Sequence, residues 1–289
     1  MAWDDLAGAD VTYAPSSVET KRFDVSTARI TVGYELDTAL DSHLSQLSAV
    51  LLRADEDVLI IRYPASAIAV GALIAGAGRD IIPAGALTYW EAGIQTEPAL
   101  ERVPGRDDLD VVDARDMVER DGISRNEVVR IVNDVVGDSF AGYGNHYLAN
   151  PLFNRGAALA GYQEWARRSL ESGDTLILLQ AGAPIGLATC TTSRDGRSHL
   201  EILLAGLVRM AQGRGHYAVL LSACAELARA HGTDRLIIST QVHNTRVQRA
   251  WAKAGLRPFA VVETVHAVRR GLIPSSVSGA VKYGAPGDN

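Results

Sequence analysis

Between an apolar run at residues 200–208 (LEILLAGLV) and a helical stretch that starts near residue 216 lies Gln212-Gly213-Arg214-Gly215-His216-Tyr217. Glycines let a backbone take positive φ and approach a ligand closely. The unpaired N–H groups of a helix's first turn face outward with partial positive charge. A pyrophosphate would fit such a turn. The turn is not a Walker A loop, because no Gly-Lys-Ser/Thr follows, nor a dinucleotide fingerprint, because the strand before it is not the first of its domain. Two glycines at a helix start are more often an ordinary turn, so the context must decide. Beyond it, a second apolar run, RLIIST, leads to Asn244, which opens another helix.

Other residues could do chemistry nearby. Glu201 stands in an otherwise apolar strand, where burial would raise its pKa and make it a base; facing solvent at a strand edge is the commoner outcome. His199 and His243 could act as bases, with surface or capping roles the commoner reading. The richest polar and aromatic cluster is Tyr143-Gly144-Asn145-His146-Tyr147 with Asn150. Its rings could stack on a base or sugar and its amides bond hydroxyls, or the loop is held down by tyrosine packing. His146 is the candidate with two roles, binder or base. Arg209, Arg214 and Lys253 lie near the phosphate end, and Arg214 is the preferred phosphate partner.

The elements that must position these residues alternate. Residues 1 to about 20 read as an arm or a frayed terminus. RITV, DVLIIRYP and IIPAGALTYW read as strands, with LDTALDSHLSQLSAVLLR and ASAIAVGALIAGAG as helices between them, a small α/β unit over residues 1–100. GIQTEPALERVPGRDDL, rich in Pro, Gly and charge, reads as a linker. A second unit spans 109–270: LDVVDA as a strand, a helix behind Ser124 with Glu127 as a capping-box partner, the aromatic loop, RGAALAGYQEWARRSLES as a helix, and the strands TLILLQA, IGLATCTTS and HLEILLAGLV. Residues 271–289 read as a tail or a dimer arm, so a homodimer stays open. No internal repeat is evident.

At 289 residues with 47% hydrophobic residues, the chain can fill two modest cores. A net charge of −6 without clustered Lys and Arg argues against a nucleic-acid partner and for a small molecule. The start is acidic rather than basic-then-apolar, and the longest apolar run is shorter than the roughly 20 residues of a membrane span, so a cytoplasmic protein without a membrane partner is expected. Cys190 and Cys224 read as buried reduced thiols, and no ligand spacing suggests a metal.

From about Leu109 to Arg269 the chain resembles the GNAT superfamily of N-acetyltransferases. The resemblance rests on the (Arg/Gln)-Gly-x-Gly-x-(Gly/Ala) loop at Gln212 to Tyr217 and on Asn244, Val247, Gly255 and Leu256. The stretch EILLAGLVRMAQGRGHYAVLL…LIISTQVHNTRVQRAWAKAGL, followed by VVETVHAVR, looks like the TDP-fucosamine acetyltransferase group, which acetylates a nucleotide-linked amino sugar and also has a small N-terminal α/β domain. The resemblance implies an α/β fold whose mixed, mostly antiparallel sheet splays between its fourth and fifth strands, flanked by helices and preceded by a smaller α/β domain. It implies acetyl-CoA or another acyl-CoA as co-substrate. Leu207 and Val208 would then offer backbone groups to pantetheine and the acyl carbonyl, with an oxyanion donor near Leu207. The amides of Gly213, Arg214, Gly215, His216 and Tyr217 after Gln212 would take the pyrophosphate, and Asn244 the pantetheine arm. Tyr143, Asn145, His146, Tyr147 and Asn150 would shape the acceptor pocket, with Glu201 and His146 as base candidates.

Two positions depart from the family pattern. Tyr217 stands where Gly or Ala is usual, and Trp251 where a Tyr often protonates the leaving thiolate; an indole N–H can donate a hydrogen bond but is no acid near neutral pH. A thiol of pKa about 8.5 leaves tolerably as the thiolate, so the reaction can proceed without that acid. The expected activity is acyl transfer to a small-molecule amine by direct attack in a ternary complex, with a nucleotide-linked amino sugar as first acceptor. Such an acceptor would need a stacking aromatic and a pyrophosphate-binding Arg. Alternatives are a natural-product amine or amino acid as acceptor, a longer acyl or carrier-protein donor for which Gly206 leaves room, and a non-catalytic acyl-CoA-binding protein.

Overall fold

A computed structural model of the chain describes residues 2–8, 10–35, 40–94, 108–119, 122–193 and 198–273. Most of the linker stretch and the C-terminal residues 274–289 fall outside them.

The first unit holds β1 (Val11–Pro15), α1 (Ser17–Phe23), β2 (Thr27–Val32), α2 (Leu40–Arg53), β3 (Val58–Pro64), α3 (Ile68–Ala75) and β4 (Asp80–Gly93). The second holds β5 (Leu109–Asp113), α4 (Ala114–Glu119), α5 (Arg125–Phe140), α6 (Arg155–Ser172), β6 (Asp174–Gln180), β7 (Ala183–Thr192), β8 (His199–Leu207), α7 (His216–Ala230), β9 (Arg235–Gln241), α8 (Thr245–Lys253) and β10 (Arg257–Val268). The described residues among the first 20, expected to be an arm, instead form a 3-10 turn at Trp3–Asp5, an edge strand and the start of α1. Alternation in β1 is too short to register in sequence, and Ser16 caps α1 by accepting the Glu19 N–H. Ser124 caps α5 in the same way through Glu127 N–H.

The ten strands of the described residues join one sheet, in the order β1-β2-β3-β10-β4-β9-β8-β7-β6-β5. Strand β10 lies between β3 and β4, and β4 lies between β10 and β9, so each unit places its last strand against the other. Outward from the central β4/β10 pair the two sides repeat the same relations: antiparallel to β3 or β9, parallel to β2 or β8, antiparallel to β1 or β7. This repeat exists in connectivity, which explains why the sequence shows none.

Helices cover both faces of the second unit. Leu176, Leu178, Ala188, Leu200 and Ile202 pack under α7, while Ile177, Leu187 and Leu204 pack under α5 and α6. Strands buried on both faces read as continuous apolar runs, which is the pattern of TLILLQ and LEILLAGL. A further cluster of Phe23, Ile60, Tyr147, Phe153, Ala158 and Val268 ties α1 and β3 to the aromatic loop and α6.

Candidate active site

Parallel pairing of β8 with β9 runs only from His199 opposite Arg235 to Ile202 opposite Ile238. Both strands continue, β8 to Leu207 and β9 to Gln241, without pairing each other. The opening between them lies in a cavity of about 1330 Å³ that extends to the glycine turn on one side and to the aromatic loop on the other.

At the turn, Gly213 and Gly215 adopt φ of 79° and 80°, a region that suits only residues without a Cβ, and Gly215 is the N-cap of α7. The first turn of α7 is thereby aimed at the cavity. Gln212, Gly213, Gly215, Tyr217, Asn244 and Leu207 line the cavity; Val208, Arg214 and His216 do not. His216 points into the core and is buried. The cation that lies over the turn is Arg246, whose Nη2 sits 3.2 Å from where a Gly213 Cβ would be, and Arg209, Arg249 and Lys253 also line this end. Arg214, the preferred phosphate partner of the sequence reading, is not in the lining, while α8 supplies Arg246 to it. A glycine turn, a helix start and several guanidiniums suit the phosphates of CoA.

The backbone at the end of β8 is oriented. Val208 N–H donates to the Ile185 carbonyl at 2.9 Å, toward β7, and the Leu207 carbonyl accepts from Gln212 Nε2 at 3.0 Å. Successive N–H groups of a strand point to opposite edges, which turns the N–H of Leu207 to the opened edge and takes that of Val208 away. The room expected beside Gly206 is filled: a Cβ there would meet Ser139 Cβ at 2.9 Å and Phe140 at 3.1 Å, both from α5.

On the other side of the opening, Tyr143, His146 and Tyr147 line the cavity with Phe140, Tyr162 and Trp165 of α5 and α6. Tyr143 hydroxyl takes the N–H of Gln241 and shares a hydrogen bond with Thr240, each at 3.3 Å, and so closes the exposed end of β9. Asn244 Nδ2 donates to the same Thr240 hydroxyl at 3.0 Å. Asn145 and Asn150 are not in the lining. Asn145 caps the 3-10 turn His146–Ala149 by accepting Tyr147 N–H, and buried Asn150 accepts Leu152 N–H, so both shape the loop. His199 and His243 are also outside the cavity; His199 is buried 3.5 Å from Asp4, and His243 packs on Gly144.

Burial sets the electrostatics. Glu201, for which solvent exposure was the commoner expectation, is 2% exposed, faces the cavity and accepts Trp3 N–H at 2.6 Å. Removal from water lifts its carboxyl to about 8, against the pull of that N–H. His146 bonds His266 at 3.0 Å, and burial, the Arg62 charge and His266 push its pKa well below the usual value, so it is neutral and a weak base near pH 7. Tyr217 hydroxyl accepts the Trp251 indole N–H at 3.3 Å, and burial raises its pKa, so the two departures from the family pattern touch each other. Arg62, Arg29, Arg22 and Arg168 line the same lobe, and sequence reasoning passed over them. A guanidinium inside the apolar run VLIIRYP carried the same signal as Glu201 in LEILLAGL. Among the described residues no group of His, Cys, Asp and Glu could hold a metal, and the Cys190 and Cys224 sulfurs are buried and free, 4.0 Å apart.

Residues 142–256 match the model of the acetyltransferase (GNAT) family. Solved structures share the fold across most of the chain. A GCN5-related N-acetyltransferase from Sphaerobacter thermophilus is 14% identical, with a TM-score of 0.53 over 89% of this chain and 76% of that one. A tandem GNAT protein from the clavulanic acid biosynthesis pathway is 13% identical, with a TM-score of 0.54 over 84% and 75%. A GCN5-related glucosamine N-acetyltransferase region of a fungal multi-domain β-N-acetylglucosaminidase is 11% identical, with a TM-score of 0.55 over 89% of this chain and 31% of that one. Comparison with curated proteins gives no match. The family match over residues 142–256 and the shared fold support an N-acetyltransferase with acetyl-CoA as its co-substrate.

Proposed function

We propose that the chain transfers an acetyl group from CoA to the amine of a small molecule by direct attack in a ternary complex, and that the acceptor is a nucleotide-linked amino sugar of the kind handled by the TDP-fucosamine acetyltransferase group. The observation that carries this reading is the single cavity that runs from the glycine turn, through the opening between β8 and β9, to a lobe walled by aromatic rings. Acetyl-CoA supplies the activated acyl group. The turn at Gly213 and Gly215 with Arg246 holds its phosphates, and Asn244 steers the arm into the opening. The Leu207 N–H faces the site where carbonyl charge develops. Glu201, with a pKa of about 8, gains the base form that can take the proton of an ammonium, directly or through water, as pH rises through about 8. Tyr143, Tyr162 and Trp165 offer faces on which a base or sugar can stack. The fold itself accommodates an amino sugar, since one of its members is a glucosamine N-acetyltransferase region.

Isothermal titration with acetyl-CoA, CoA and one longer acyl-CoA, followed by a panel of amines, tests the reading. Binding that disappears in Gly215→Glu and turnover with an amine support it. Binding without turnover across nucleotide sugars, amino acids and natural-product amines would favour a non-catalytic acyl-CoA-binding protein instead.

A further inference from the structure

The turn at Trp3–Asp5 reaches the candidate base from outside the cavity. Trp3 N–H donates to Glu201 Oε2 at 2.6 Å across 198 residues of sequence, and Asp4 lies 3.5 Å from His199, which precedes Glu201 by two residues on β8. Glu201 lines the cavity and Trp3 does not, so the contact is made from behind the wall. The turn is itself anchored. The buried Trp3 indole meets Tyr89, Phe259 and Tyr34 at ring-centroid distances of 4.9, 4.8 and 5.4 Å, and packs with Ile237, the residue of β9 paired with Glu201. Buried Leu6 ends the turn, and its carbonyl accepts Tyr34 N–H at 2.7 Å. A backbone N–H held by such packing is a fixed donor, and it bonds a carboxylate more strongly than a neutral acid. It also sorts the two oxygens. An O–H oxygen is the poorer acceptor, so the N–H at Oε2 leaves the proton of the acid form to Oε1. The charges around this carboxyl are few: Asp4 and Asp5 of the same turn raise it, the charge of the chain's amino group lowers it, and its own charge is felt by Tyr89 of β4.

We propose that this turn belongs to the acetyl-transfer machinery: Trp3 is a positioning residue whose backbone N–H holds the Glu201 carboxyl in place and reserves Oε1 for the proton of the acceptor amine. The proton passes from the ammonium nitrogen to Oε1, which leaves the neutral amine to attack the thioester. The inference rests on the reading of Glu201 as the base and adds the part that aims it. It also gives the first unit a share in the chemistry of the second, with the indole as the bolt that secures the donor.

Comparing Trp3→Pro with Trp3→Ala isolates the N–H. Both variants lose the indole and keep Asp4 and Asp5, and only the proline lacks the donor. Proline is admissible there, because Trp3 is the first residue of the 3-10 turn and Ala2 before it is extended, with φ −85° and ψ 163°. The pH profile of acetyl transfer is measured for both with an amine of the panel that turns over. The rising limb of Trp3→Pro is expected about one pH unit above that of Trp3→Ala, about tenfold in rate at pH 7. Equal limbs would leave the turn a packing element and overturn the positioning role. A second readout needs no change in the turn and stands if both variants fail to fold. In protein isotope-labelled at its tryptophan nitrogens, the Trp3 amide resonance is expected to move as pH rises through about 8 and to stay fixed in Glu201→Gln. An amide that ignores pH in the wild type overturns the proposal. A Glu201→Gln variant with the wild-type pH profile, or no turnover with any amine, would instead overturn the base reading, and the amide titration then decides the bond by itself.

Discussion

Single residues set the chemistry through burial. A carboxyl with pKa about 8 sheds its proton where an acceptor ammonium also does, so the acetyl-transfer rate should rise with pH through about 8. Glu201→Gln should lower kcat by about a hundredfold, the low end of general-base effects, and flatten that limb; a pH profile unchanged by the variant would remove Glu201 from the reaction. The same shift has a stability sign. A carboxyl raised in the folded state contributes stability that is complete below its unfolded value and lost as pH rises through about 8. Glu201→Gln, which keeps an acceptor for Trp3 N–H, should therefore melt at a higher temperature than the wild type at pH 9 and nearly equally at pH 5.

Glu19 behaves oppositely. Burial alone would raise its carboxyl, but the two hydrogen bonds and charge of Arg29 and the Tyr147 hydroxyl at 2.5 Å hold it at about 2. Its contribution is present above the unfolded value and lost as pH falls through about 2. Glu19→Gln should cost about 2 kcal/mol at pH 7, less than a fully buried pair because Arg29 is 39% exposed; equal denaturant midpoints for variant and wild type would contradict this.

At the scale of elements, the site depends on a helix start and on two strands that part. Gly215 at φ 80° sits where a side chain costs about 1–2 kcal/mol from strain alone. Gly215→Ala should therefore keep the fold with a modest loss in melting temperature, whereas Gly215→Glu should also abolish acetyl-CoA binding by placing a carboxylate among the phosphates. Retained binding in Gly215→Glu, read by calorimetry, would move the phosphates elsewhere. The opening of β8 from β9 is held by local devices. Tyr143 closes the freed Gln241 N–H, and Gln212 closes the Leu207 carbonyl, so the strands part without leaving those backbone groups bare.

At the scale of the molecule, β1–β4 and β7–β10 stand in matching relations in one sheet, and the two units exchange their last strands. In the first half β2 and β3 stay paired from Thr27 opposite Val58 to Thr31 opposite Arg62, so no opening forms there. In the second half the equivalent pair opens and becomes the site. Because β4 fills the place between β9 and β10, residues 108–273 alone would expose two long strand edges. That fragment should show no cooperative melt, and co-expression with residues 1–94 should restore one; an independently folded 108–273 fragment would refute the exchange as a structural necessity.

The sequence by itself determined much of this. Apolar runs named the strands that are buried on both faces, Ser124 announced its helix, and the Gly213/Gly215 spacing marked the turn at α7, because each signal is carried by neighbours in the chain. It also marked Glu201 by its contrast with an apolar strand, without deciding which way the side chain points. Only the tertiary structure decided that Glu201 is buried, that Asn145 and Asn150 brace a loop rather than face the cavity, that Trp251 and Tyr217 meet, and that Arg246 rather than Arg214 covers the turn. It alone placed β10 between β3 and β4 and brought Arg62 into the lining of the cavity. Strand neighbours about 200 residues apart leave no local trace, since a strand's own pattern records which faces are buried and not which chain segment pairs along its edge.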